Sequence, residues 1–202
     1  MSKREAPEIN AGSMADIAFL LLIFFLVSTT MDTDMGILKK LPEKTNEPSK
    51  IDINERNILE ININSNNDIM VDGVQINDMD EIRVLAIDFI DNGYGTDTEG
   101  NPCTSCSGKK DPNSSEHPDK AIIEIQSNRN SSYASYIAVQ NAVLGAYAQL
   151  RDRRTLELFG SKYSELLADL EKNPADKKLR SWVARIQSSY PQHIYDKDPV
   201  SL

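Results

Sequence analysis

Two cysteines, two histidines and one tryptophan in 202 residues leave little material for a metal centre. Basic residues are also the minority, 22 Lys and Arg against 31 Asp and Glu, for a net charge of −9. With no basic patch interleaved with aromatics, that balance argues against generic nucleic-acid binding. No phosphate-cradling glycine loop and no nucleophile–base motif occurs, so neither an enzyme nor a cofactor is expected. A second long apolar run is missing too, so everything after Met31 is expected on one side of any membrane that the first run crosses.

That first run holds the most informative residue. From Ile9 to Met31 the only ionisable side chain is Asp16. A carboxylate near hydrocarbon costs about 2.5–3.5 kcal/mol on insertion scales, and where one persists it faces a protein interior and marks an ion pathway or proton relay. The unbroken apolar stretch Ile17 to Val27 alone also fits a buried helix or a signal-peptide core. Glu5 and Glu8 spoil the basic start that a signal peptide needs, and Asp16 abuts its core. Residues 11–31 span about 30 Å as a helix at 1.5 Å per residue, the length of a transmembrane segment. Asp16 as a helix-start residue at headgroup level is the alternative. Gly12 and Ser13 lie four and three residues before Asp16, so all three share one face. Ala15 and Ala18 flank it, and small residues admit a second helix. One helix does not shield a carboxylate, so association with other membrane helices is expected. Lys3 and Arg4 before the helix weakly favour an N-terminus inside, with Lys39 and Lys40 competing beyond it.

Ile9-Asn10, then Asp16, then Leu20 to Val27 resembles the signature of the ExbD/TolR biopolymer-transport family, as does Leu41-Pro42 downstream. Gly12-Ser13 stands where that family often has Thr-Pro. The resemblance implies a single-pass inner-membrane protein with a cytoplasmic tail (1–10), a transmembrane helix (11–31), a periplasmic linker (32–57) and a periplasmic α+β domain (58–202). It implies a dimer working with a polytopic ExbB/TolQ-like ring. Proton motive force would pass through Asp16 to a TonB-like transmitter and energise TonB-dependent outer-membrane transport. Asn10 maps onto the family's upstream asparagine. A TolR-like role in envelope maintenance, a flagellar-type stator and a non-energised anchor for a periplasmic interaction domain are the rival readings.

The rest of the chain reads as a small mixed sheet with helices on one face. Leu59, Ile61 and Ile63 alternate with polar residues as in a half-buried strand. Ile69-Met70-Val71 returns after a turn, and Asp72-Gly73 reverses the chain again. Asn77 or Asp78 can cap a helix to about Asp91. Residues 92–120 form a polar insertion, long enough to be functional or mobile. Its Cys103 and Cys106 are open to three readings: a local disulfide, which the periplasmic compartment implied by the resemblance would favour, unpaired thiols, or metal ligands. Ala121 to Ile125 is a third strand. A long helix starts near Ser131 or Ser132, with Tyr136, Val139, Val143, Tyr147 and Leu150 as its core stripe. Arg151 to Arg154 reads as a solvated charged face. Ser161 is expected to cap a further helix to Lys172. Another helix carries Leu179, Trp182, Val183 and Ile186, and His193 to Tyr195 is a last strand. The acidic residues read as solvated surface.

Overall fold

The computed structural model describes residues 11–28 and 54–200. The chain divides into two compact units, Met1–Lys50 and Ile51–Leu202. The first holds helix α1 (Ala11–Ser28). At 1.5 Å per residue its 18 residues reach about 27 Å, short of the ~30 Å hydrocarbon core. Among the described residues no helix is long and apolar enough to cross a membrane. The last three residues of the expected span, 29–31, lie outside those described, as do the tail 1–10 and most of the linker.

The second unit is a five-stranded mixed sheet with the order β3-β2-β1-β4-β5, built from β1 (Ile58–Ile63), β2 (Ile69–Val71), β3 (Val74–Ile76), β4 (Ile122–Ser127) and β5 (Ile194–Asp196). The β1–β2–β3 meander is antiparallel, whereas β4 runs parallel to β1 and β5 parallel to β4. Period-2 alternation puts Leu59, Ile61 and Ile63 on the buried face, in register with Ile123, Ile125 and Ser127 of β4. Helices α2 (Met79–Ile90) and α3 (Tyr133–Phe159) cover that face. Ile82, Ala86 and Ile90 come from α2, and Val139, Val143, Tyr147 and Leu150 from α3, each almost completely buried.

Local signals place the helix ends. The Asp78 carboxylate accepts the Asp80 N–H at the start of α2, and Ser132 Oγ accepts the Ser135 N–H at the start of α3. Gly160, with φ 73°, takes the left-handed conformation that closes α3. Two further helices, α4 (Tyr163–Lys172) and α5 (Lys177–Ser189), pack through their own small cluster of Tyr163, Leu166, Val183 and Ile186. The ring of Phe159 stacks on Trp182 with centroids 4.4 Å apart beside it.

Three expectations are corrected. Lys162, not Ser161, is the N-cap of α4; its backbone N–H donates to the Glu165 carboxylate at 3.1 Å. Arg151 to Arg154 is not a solvated face: Arg151 is buried, and Nε and Nη2 donate to the Tyr190 carbonyl at 3.1 and 2.7 Å. The acids are not all surface groups either, because Asp91 and Glu116 are buried and bonded. A buried charge is retained only where it is paired and hydrogen-bonded, and these are.

Candidate functional site

Two places carry chemistry beyond packing, one in each unit. On α1, Gly12 and Asp16 stand one turn apart, and both are exposed. Apolar side chains surround the helix: Ile17, Phe19, Leu20, Phe24 and Phe25 are each more than half exposed. A helix apolar on all sides needs lipid or other helices around it. Ser13 lies on the same helix, while Asn10, Leu41 and Pro42 fall outside the described residues.

In the second unit, Asp91 is the hub of a buried polar cluster that the sequence did not disclose. Arg153 grips it bidentately, Nη1 to Oδ2 at 2.9 Å and Nη2 to Oδ1 at 2.6 Å. The Tyr190 hydroxyl donates to Oδ1 at 2.9 Å, and the Ser107 N–H and Oγ–H donate to Oδ2 at 3.1 and 3.0 Å. Burial first, and then the Asp91 carboxylate, push the Tyr190 phenol up to about 12, so it stays a donor. The cluster joins the end of α2, the last two turns of α3, the insertion and the chain just after α5. Asp152, in the same charged run, accepts the Tyr163 N–H at 2.9 Å and orients the start of α4.

The insertion is fixed at many points. Cys103 and Cys106 are disulfide-linked with Cα atoms 5.6 Å apart. Gly93, at φ 63°, faces the Cys106 side chain, and a Cβ on Gly108 would lie 2.7 Å from Asn92 Cα, so both approaches require glycine. At the far end, Glu116 pairs with Lys120 at 2.8 Å and with Arg56. Among the described residues no group of His, Cys, Asp and Glu is arranged to hold a metal ion.

Acid should loosen this far end. Lys120 and then Arg56 hold the Glu116 carboxyl below its ordinary range, and burial holds His117 below its own. Neutral His117 Nδ1 accepts the Asp119 N–H at 3.1 Å, a bond that the protonated ring cannot make. Both folded values lie below the unfolded ones, so each contribution is present above the unfolded value and lost as pH falls through the folded one. Thermal midpoints should therefore drop in two stages, beginning below about 6.5 for His117 and below about 4.5 for Glu116. His117→Asn should remove the upper stage in a pH series of melting curves; an unchanged profile would contradict this reading.

Among curated proteins, none matches the chain. A family model described as biopolymer transport protein ExbD/TolR matches residues 2–149, a stretch that contains α1, the insertion and the sheet as far as most of α3. Helices α4 and α5 and strand β5 lie beyond it. With well over half of its length so matched, this chain belongs to the ExbD/TolR family of biopolymer transport proteins.

Proposed function

We propose that this protein is the single-pass subunit of a proton-driven inner-membrane motor of the ExbD type. Residues 11–31 cross the membrane with residues 1–10 in the cytoplasm, residues 32–57 link, and the domain from residue 58 works in the periplasm. The observation that carries the reading is the lone Asp16 inside a family match that begins at residue 2. Asp16 binds and releases a proton as α1 meets the helices of an ExbB/TolQ-like ring. Gly12 and Ser13 form the small, polar face that lets those helices approach. One charge moving across about 100 mV releases roughly 2.3 kcal/mol, enough for a conformational step when coupled to it. The linker of about 26 residues reaches tens of ångströms when extended, so the domain can deliver that step to a TonB-like transmitter away from the membrane surface.

Energetics also support the assembly. A lone α1 exposes an ionised carboxylate to lipid, and two copies together bring like charges close, so surrounding helices are required. Gentle detergent extraction and native mass measurement should find two copies of this chain held with several copies of a polytopic partner. A monomer without such a partner, still active after reconstitution, would refute the reading.

A further inference from the structure

The insertion does more than close on itself; it forms one wall of a cavity. Between α2, the β2–β3 hairpin and residues 109–114 lies a hollow of about 390 Å³, within the ~300–1,000 Å³ range of ligand sites. Its floor is apolar: Leu59, Val71, Ile76, Leu85 and Phe89. Its mouth is acidic, with Asp72, Glu81, Asp88 and Asp111 against a single cation, Lys109. That lysine is already bound to Asp88 at 2.7 Å and also offsets Asp111, so Asp72 and Glu81 are left uncompensated by any cation of the lining and Asp111 only shares one. A second hollow of about 410 Å³ shares Asp72, Phe89 and Ser114 and adds Glu55 and Arg56, the latter paired with Glu116, which extends the site into a groove.

The wall is preformed. Buried Asn92 donates from Nδ2 to the carbonyls of Asp111 and Ser115 at 2.9 and 2.7 Å and accepts the Asp111 N–H at 2.8 Å. Lys110 N–H donates to the Asn92 carbonyl at 3.2 Å. A rigid wall spares a ligand the cost of ordering it.

We propose that this groove binds a peptide segment of a partner protein that presents a bulky apolar side chain flanked by lysine or arginine. The apolar group fills the floor, and the flanking cations meet Asp72, Glu81 and Asp111. Charge complementarity sets the sign of the partner, and the elongated, double hollow favours an extended chain over a compact small molecule. The groove lies wholly within the second unit, and the proposal does not depend on proton transfer at Asp16.

The test uses the full chain in detergent and the probe peptide Gly-Lys-Phe-Lys-Gly, with a benzophenone-bearing analogue of the phenylalanine for cross-linking. Cross-links should map to α2, the β2–β3 hairpin and residues 109–114. The Asp72→Asn/Glu81→Gln pair should weaken binding about three- to tenfold at low salt, the range for two partly screened ion pairs. Exposed Glu157→Gln, on the far end of α3, should leave it unchanged. The peptides Gly-Glu-Phe-Glu-Gly and Gly-Lys-Gly-Lys-Gly should fail to bind. Equal binding of either one, cross-links elsewhere, or an unaltered affinity in the double variant would overturn the proposal.

Discussion

Asp91→Ala should cost about 3 kcal/mol of folding stability, the lower part of the range for removing one partner of a buried ion pair. The substitution removes the carboxylate acceptor of the Arg153 guanidinium, the Tyr190 hydroxyl and both donors of Ser107, leaving Arg153 the Tyr190 hydroxyl at 2.8 Å and Tyr190 the longer bond to the Ser105 carbonyl. Arg153 retains some solvent access and recovers part of its hydration, whereas Tyr190 is fully buried and has no water to replace the lost bond. The loss should not be spread evenly. Ser105 and Ser107 flank Cys106 of the disulfide, and the Ser105 carbonyl is left with Tyr190 at 3.3 Å, so the insertion should become a site of proteolytic cutting before the sheet unfolds. Urea unfolding of the full chain, read beside limited proteolysis, measures both effects. Asp91→Asn keeps one acceptor oxygen and should cost less than the alanine variant. A change below about 1 kcal/mol for alanine, the scale of an ordinary hydrogen bond, would show that the cluster is not a hub.

The same cluster shows where sequence reading stops. Local pattern placed β1, because Leu59, Ile61 and Ile63 alternate with polar residues whatever the chain does elsewhere. It placed α3 for a similar reason: Val139, Val143, Tyr147 and Leu150 recur at helical spacing and all lie in the core. Strand β3 has only three residues, two of them exposed, so no alternation was available to announce it. Asp91 precedes Asn92-Gly93 and looks like part of a turn. Its partners Arg153 and Tyr190 are 62 and 99 residues away. A run such as Arg151 to Arg154 has the composition of a solvated face, and only the fold shows that Tyr190 returns beside it. The cavity wall was hidden in the same way, since Asp88 meets Lys109 and Asn92 meets Asp111 only across the folded insertion. Asp16 is the opposite case. Its meaning lies in the absence of other charges nearby in the chain, which needs no tertiary structure to see.

Asp16→Asn should abolish energised transport while leaving insertion and assembly intact. Asparagine is nearly isosteric with aspartate and still polar, so α1 keeps its shape, its small-residue face at Gly12 and Ser13, and its fit against neighbouring helices. What it loses is the ability to alternate between a charged and a neutral form. The motor reading requires that alternation, because a carboxylate that discharges in a low-dielectric interface and recharges near water converts proton flow into movement of the helix. A helix-start residue at headgroup level, by contrast, is served equally well by asparagine, which is as good an N-cap as aspartate. The two roles therefore diverge at one substitution. In cells, the variant should assemble with the proposed ring partner at normal levels, as judged by co-purification, and show no uptake that depends on the proton motive force. Wild-type uptake or envelope integrity in the Asp16→Asn strain would reduce α1 to an anchor and leave the second unit as the sole source of function.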